Sequence, residues 1–235
     1  MTRCLTCGRR VEGAHPPCAA LPTPSPAAPP TALPEVPGYR LRGLLGHGGF
    51  AAVFAAEREP DGRQVALKVA RADVPGAREQ LEREAGALRA VGPPAVVALL
   101  GEGTLGDGST FLALELVEAP SLAARLLAGG GALPPAELAP AVLATLDALA
   151  ALHAAGYAHG DLKPENVLFG GDPPIARLLD LGLSERLGAA PAGPGKQASG
   201  LLAGTAEYMS PEQCQGLPPD ARSDVYAAGA LFLEL

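Results

Sequence analysis

Val65, Leu67 and Val69 alternate with Ala66 and Lys68, and a period of two predicts a strand with one apolar face. The next apolar positions change period. Leu81, Ala85, Leu88 and Val91 step by three or four and predict a helix from about Ala77 to Ala90. Glu84 falls on that stripe, whereas Glu79 and Glu82 fall off it. A carboxylate aimed at a core needs a partner, because burying it unpaired is costly. Lys68 is the natural candidate. Further strands are predicted at Leu41 to Leu45, Val96 to Gly101 and Thr110 to Leu116. Helices are predicted at Ser121 to Leu127 and Pro135 to Ala155, the second with the stripe Leu138, Val142, Leu146, Leu149 and His153 and with Gly156 as its stop. His153 reads as a packed helical histidine. Val167 to Phe169 and Ile175 to Leu179 read as short strands around a Gly-Asp-Pro-Pro turn.

Composition narrows this picture. The chain has 235 residues, enough for one large domain or two small lobes, and 30 Gly and 25 Pro concentrate in its connecting stretches. Alanine inflates the 48% hydrophobic content, and aromatics are only 4%. The sequence shows neither an uninterrupted apolar run of about 20 residues nor a signal-peptide core, so a soluble cytoplasmic chain is expected. A formal charge of −7 argues against a general nucleic-acid binder. Cys4, Cys7, His15 and Cys18 form a C-x2-C-x7-H-x2-C pattern that reads either as a zinc knuckle over residues 1–20 or as a tail with reduced thiols. Residues 21–38 read as a Pro/Ala-rich linker.

The densest chemistry lies in His159-Gly160-Asp161-Leu162-Lys163-Pro164-Glu165-Asn166. Asp161 can accept a proton, Lys163 is a point charge suited to phosphate, and Asn166 offers an oxygen to a hard metal ion. Leu179-Asp180-Leu181-Gly182 adds a second acid after an apolar strand. This combination suits phosphoryl transfer, which depends on positioning and charge neutralisation. The run resembles the catalytic loop of eukaryotic-like (Hanks-type) serine/threonine protein kinases. Gly46-His47-Gly48-Gly49-Phe50-Ala51-Ala52-Val53 resembles their Gly-rich loop, with Ala51 for the third Gly. Gly204-Thr205 through Ser210-Pro211-Glu212 resembles the end of their activation segment, and Ser223-Asp224-Val225-Tyr226 the start of their central helix. The order of these motifs carries the resemblance more than any one of them.

The resemblance implies an α+β, two-lobed kinase-like fold, with a small β-rich lobe over residues 39–118 and a larger helical lobe over 119–235. It implies ATP and Mg²⁺ as cofactors and Ser or Thr hydroxyls of proteins as substrate. Asp161 would orient the hydroxyl, Lys163 would neutralise the γ-phosphate, and Asn166 and Asp180 would hold Mg²⁺. Lys68, braced by Glu84, would place the α- and β-phosphates. Leu45, Gly46, Gly48, Val53, Ala66, Leu114 and Leu168 would line the nucleotide site, with the backbones of Glu115 and Val117 pairing with adenine. Thr205 would shape the substrate side. Gly160 stands where the family has the Arg that reads a phosphate on the activation segment. A nucleotide-binding scaffold without activity and a small-molecule kinase are the rival readings. The apolar crowd Val225, Tyr226, Leu231, Phe232, Leu233 and Leu235 makes the chain read as a kinase cut within its central helix.

Overall fold

A computed structural model describes residues 34–188 and 206–235, with the backbone of residues 2–3 and 10–11. Cys4, Cys7, His15, Cys18 and Thr205 lie outside the described residues. Five strands form one antiparallel sheet: β1 (Tyr39–His47), β2 (Ala51–Arg58), β3 (Gln64–Ala70), β4 (Leu99–Thr104) and β5 (Thr110–Glu115), in the order β1-β2-β3-β5-β4. The alternation on β3 sets its two faces. Val65, Leu67 and Val69 join Phe54, Ala56, Phe111 and Ala113 in one core. On the other face, Lys68 pairs across the ladder with Val53 and Leu112, and Ala66 with Leu114. Leu112 and Leu114 belong to a second core with Leu81, Ala85 and Leu88 of helix α1 (Ala77–Val91). The sheet thus holds the Lys68 face against α1.

Ordered structure begins earlier than the sequence suggests. Val36 is buried in the first core and its carbonyl accepts a hydrogen bond from the Tyr39 amide, so the end of the expected linker belongs to the fold. The strand expected at Val96 to Gly101 starts instead at Leu99 and runs to Thr104. Val96 bridges to Leu178 in the other half of the molecule, so that apolar run serves two contacts rather than one strand. Gly101 and Gly103 enter β4 because Tyr39 and Phe111 lie over them; a Cβ at Gly103 would fall 2.7 Å from the Phe111 ring.

The second half packs α2 (Leu122–Ala128), α3 (Pro135–Ala154), the hairpin β6 (Val167–Gly170) and β7 (Ile175–Leu178), the short α4 (Pro211–Cys214), and α5 (Ala221–Phe232). Ser121 caps α2 and Asp220 caps α5 with side-chain oxygens on backbone amides. The buried face of α3 is Ala141, Thr145, Ala148, Leu149 and Leu152, while Leu138 and Leu146 are exposed. Leu149 of the predicted stripe faces inward, but Leu138 and Leu146 do not; the buried face is completed instead by Ala141, Thr145, Ala148 and Leu152, and it packs on β7 and α5. By length and composition alone α3 could cross a membrane. A core helix passes the same test, and in this fold one face of α3 is core. On α5, Ala227, Ala228 and Leu231 are buried, and Val225, Tyr226 and Leu233 are exposed.

Candidate active site

The loop after α3 is tied down before it reaches its acid. Gly156 takes a left-handed turn at φ 84 to end the helix. Tyr157–Ala158 then pairs with Glu185–Arg186. The backbone amides of His159 and Gly160 donate to the Asp224 carboxylate at 2.8 and 2.9 Å, and His153 Nε2 donates to it at 2.7 Å. His159 is fully buried; its Nε2 donates to the Leu179 carbonyl at 3.0 Å while its Nδ1 accepts from the Asp161 amide. One imidazole therefore links the Asp161 loop to the segment that carries Asp180. Gly160 holds φ 78, and its carbonyl accepts from Gln213 Nε2 at 2.7 Å.

Asp161 is buried at 6% exposure and its two oxygens differ. Oδ2 accepts from Lys163 Nζ at 2.6 Å and from Asn166 Nδ2 at 3.1 Å. Oδ1 is buried and has no hydrogen-bond partner among the described residues. Such an atom is costly unless a donor comes to it. The turn Pro164–Asn166 brings Asn166 back under the loop, where its Nδ2 also donates to the Asp161 carbonyl at 2.8 Å. The amide nitrogen is committed to the loop, which leaves the amide oxygen as a hard-cation donor.

Lys68 sits between two acids. Its Nζ lies 2.8 and 2.6 Å from the two Glu84 oxygens and 2.8 Å from Asp180 Oδ1. Asp180 adopts φ 58, the left-handed region that short polar side chains tolerate best, and this turn joins β7 to the helical turn Leu181–Leu183. Burial pulls the Lys68 ammonium down, but Glu84 and Asp180 outweigh it and hold it above the ordinary lysine range. Burial pushes Glu84 up, and Lys68 offsets only part of that. Burial also pushes Asp180 up, yet Lys68 prevails and keeps it below the ordinary carboxylate range. The Lys68 contribution to stability is thus complete below the ordinary lysine pKa and is lost as pH climbs through the raised value. That of Asp180 is present above the ordinary carboxylate pKa and is lost as pH falls through the depressed one. Glu84→Gln leaves Asp180 alone to oppose burial. Acetylation of Lys68 at pH 9, followed by mass spectrometry, should then be at least about tenfold faster, one pKa unit. An unchanged rate would show that Glu84 does not hold the proton.

The remaining expected residues lie around the Lys68 face. Gly48 donates to the Ala51 carbonyl at 2.8 Å, closing the turn between β1 and β2. A Cβ at Gly46 would meet nothing within 4 Å, and one at Gly48 only the Ala51 carbonyl at 3.9 Å, so no protein contact requires glycine at either position. Ala51 is buried in the core shared with α1, so its methyl points away from the turn. Leu45 is 53% exposed; Val53, Ala66, Val117 and Leu168 are half-buried and Leu114 is buried. The Glu115 carboxylate accepts from Arg177 at 2.6 Å and from the Ala98 amide at 3.2 Å, fixing the end of β5 to β7. Glu212 accepts from Ser223 Oγ at 2.5 Å, which holds it below the ordinary carboxylate range. Glu212 thus has its partner on α5. Asp224, Gln213 and Arg177 were missed as site residues, because their partners are mostly backbone groups or residues distant in sequence. Among the described residues no group of three or more His, Cys, Asp or Glu side chains is arranged as a metal site.

The family model described as protein kinase domain matches residues 39–235. A serine/threonine-protein kinase, pkn2 of Myxococcus xanthus, is 40% identical over 198 residues, covering 82% of this chain and 23% of the relative. The serine/threonine-protein kinase pkn3 of the same organism is 34% identical, covering 84% of this chain and 37% of the relative. A probable serine/threonine-protein kinase, PknB of Corynebacterium glutamicum, is also 34% identical, with 84% and 31% covered. The chain therefore spans well under half the length of these curated relatives.

Proposed function

This chain belongs to the protein kinase family, and from that premise we propose that it transfers the γ-phosphate of ATP to Ser or Thr hydroxyls of proteins. The observation that carries the reading is Asp161, with one oxygen held by Lys163 and Asn166 and the other buried with no partner among the described residues. A substrate hydroxyl donating to Oδ1 would be oriented for in-line attack and would pass its proton to the carboxylate. Lys163, 2.6 Å from Asp161, would place its positive charge beside the transferring group. Members of the family use ATP with Mg²⁺. The donors fit a hard cation: the Asn166 amide oxygen, and the Asp180 carboxylate, whose side chain is 45% exposed although Oδ1 touches Lys68. Bound there, Mg²⁺ would supply charge neutralisation at the phosphates. Lys68 would grip the α- and β-phosphates, kept charged and aimed by Glu84. The half-buried apolar residues Val53, Ala66 and Leu168 would cover the adenine ring. The test is transfer of labelled γ-phosphate to a generic basic protein, compared with Asp180→Ala. Equal signal from both would sink the reading in favour of a scaffold.

Gly160 adds a prediction about control. Its φ of 78 and its crowding (a Cβ would fall 2.8 Å from the Leu183 carbonyl and 2.9 Å from Pro219) leave no room for the guanidinium that usually pairs with an activation-segment phosphate. Activity should depend little on phosphorylation between Leu183 and Ala203. Ser184 is buried, so Ser199→Ala is the informative variant. Compared with the parent after phosphatase treatment, it should keep its activity within about threefold, about 0.65 kcal/mol in barrier. A loss of tenfold or more would overturn this.

A further inference from the structure

Gln80 lies on α1 one turn ahead of Glu84 and is 8% exposed. Its side chain covers Gly182, directly after the Asp180-Leu181 pair. A Cβ at Gly182 would come within 2.7 Å of Gln80 Nε2, 2.8 Å of its Cγ and 3.2 Å of its Cδ. The backbone at Gly182 is outside the left-handed region, so close approach rather than conformation accounts for the glycine. Helix α1 therefore meets the Asp180 segment at two levels. One is the charged chain Glu84–Lys68–Asp180. The other is Gln80 on Gly182. A helix held at one point can pivot about it; a second contact one turn away, about 5.4 Å, fixes its rotation. Leu81, Ala85 and Leu88 anchor α1 in the core, and Gln80 adds a contact with the Asp180 segment itself.

We propose that Gln80 is a positioning residue: through its contact with Gly182 it sets the rotation of α1 and so keeps Glu84 and Lys68 aligned with Asp180. The proposal rests on the phosphoryl-transfer reading for its kinetic consequence and on geometry alone for its structural one. The aliphatic stem shares the contact with the amide, so a side chain of equal length should serve.

The experiment uses the full chain and the variants Gln80→Ala, Gln80→Met, Gly182→Ala and the double Gln80→Ala/Gly182→Ala. Two readouts are taken: kcat and KM for ATP with a basic protein as acceptor, and hydrogen exchange of the α1 amides. Gln80→Ala is expected to lower kcat about tenfold with KM for ATP within about twofold, while Gln80→Met stays within about twofold of the parent. Gly182→Ala alone should lose about as much as Gln80→Ala. The double variant should lose no more than Gln80→Ala, because the new methyl enters the room the shortened side chain leaves. Exchange in α1 should rise in each single Ala variant and return toward the parent in the double. Parent-like kcat and exchange in Gln80→Ala, or penalties that multiply in the double, would overturn the proposal. Absence of transfer in the parent would instead refute the enzymatic reading, and the exchange pattern would still decide the contact.

Discussion

Replacing Asp161 by Asn is expected to lower kcat by about 10²–10⁴-fold, the usual contribution of a positioned general base, with ATP affinity nearly unchanged. The substitution is close in shape. The amide oxygen can keep the place of Oδ2, accepting from Lys163 and Asn166, so the loop should hold its form. The amide nitrogen then takes the place of Oδ1, the buried oxygen with no partner among the described residues. A donor there can neither align a substrate hydroxyl through its proton nor receive that proton. The groups proposed to hold the phosphates, Lys68 and Asp180, lie on other segments, which is why binding should survive. Steady-state transfer and ATP titration of the parent and Asp161→Asn check both halves. Turnover like the parent's would remove Asp161 from its role, and a parallel collapse of ATP affinity would show that the loop had rearranged.

The contact between Lys68 and Glu84 was legible because two periodicities meet there. A period-two strand sets the face of Lys68, a helical stripe sets that of Glu84, and burial of a carboxylate asks for a cation. The loop around Asp161 was legible because its residue types are chemically unusual in such close spacing. Other features left weaker marks. The inward face of α3 mixes Ala141, Thr145 and Ala148 with Leu149 and Leu152, while alanines and leucines also occupy its other faces, so hydrophobic contrast could not choose it. The start of β4 was misplaced because Val96 and Val97 are apolar for a different reason, burial beside β7. Gln80 and Asp224 act through close approach and through backbone amides, and neither leaves a period or a motif of its own in one sequence.

Asp224→Ala is expected to destabilise the chain by about 3–5 kcal/mol, the cost of removing one side of a buried charged network. Asp224 is 1% exposed and accepts from three donors: His153 Nε2 and the backbone amides of His159 and Gly160. Alanine deletes the acceptor and leaves two buried N–H groups with no partner, in a loop too tightly packed to turn them outward. His153→Ala removes only one of the three hydrogen bonds and opens a partly exposed position, so a loss of about 1 kcal/mol is expected there. The contrast separates an anchor from a single bond. Against a typical stability of about 5–15 kcal/mol, the first loss uses up much of the folded margin and the second does not. Urea unfolding of the parent and both variants measures each. Below the lowered midpoint Asp224→Ala should still transfer phosphate poorly, because the amides that hold His159 and Gly160, and through them Asp161, have lost their anchor. A variant within 1 kcal/mol of the parent, with parent-like turnover, would show that α5 does not hold the loop.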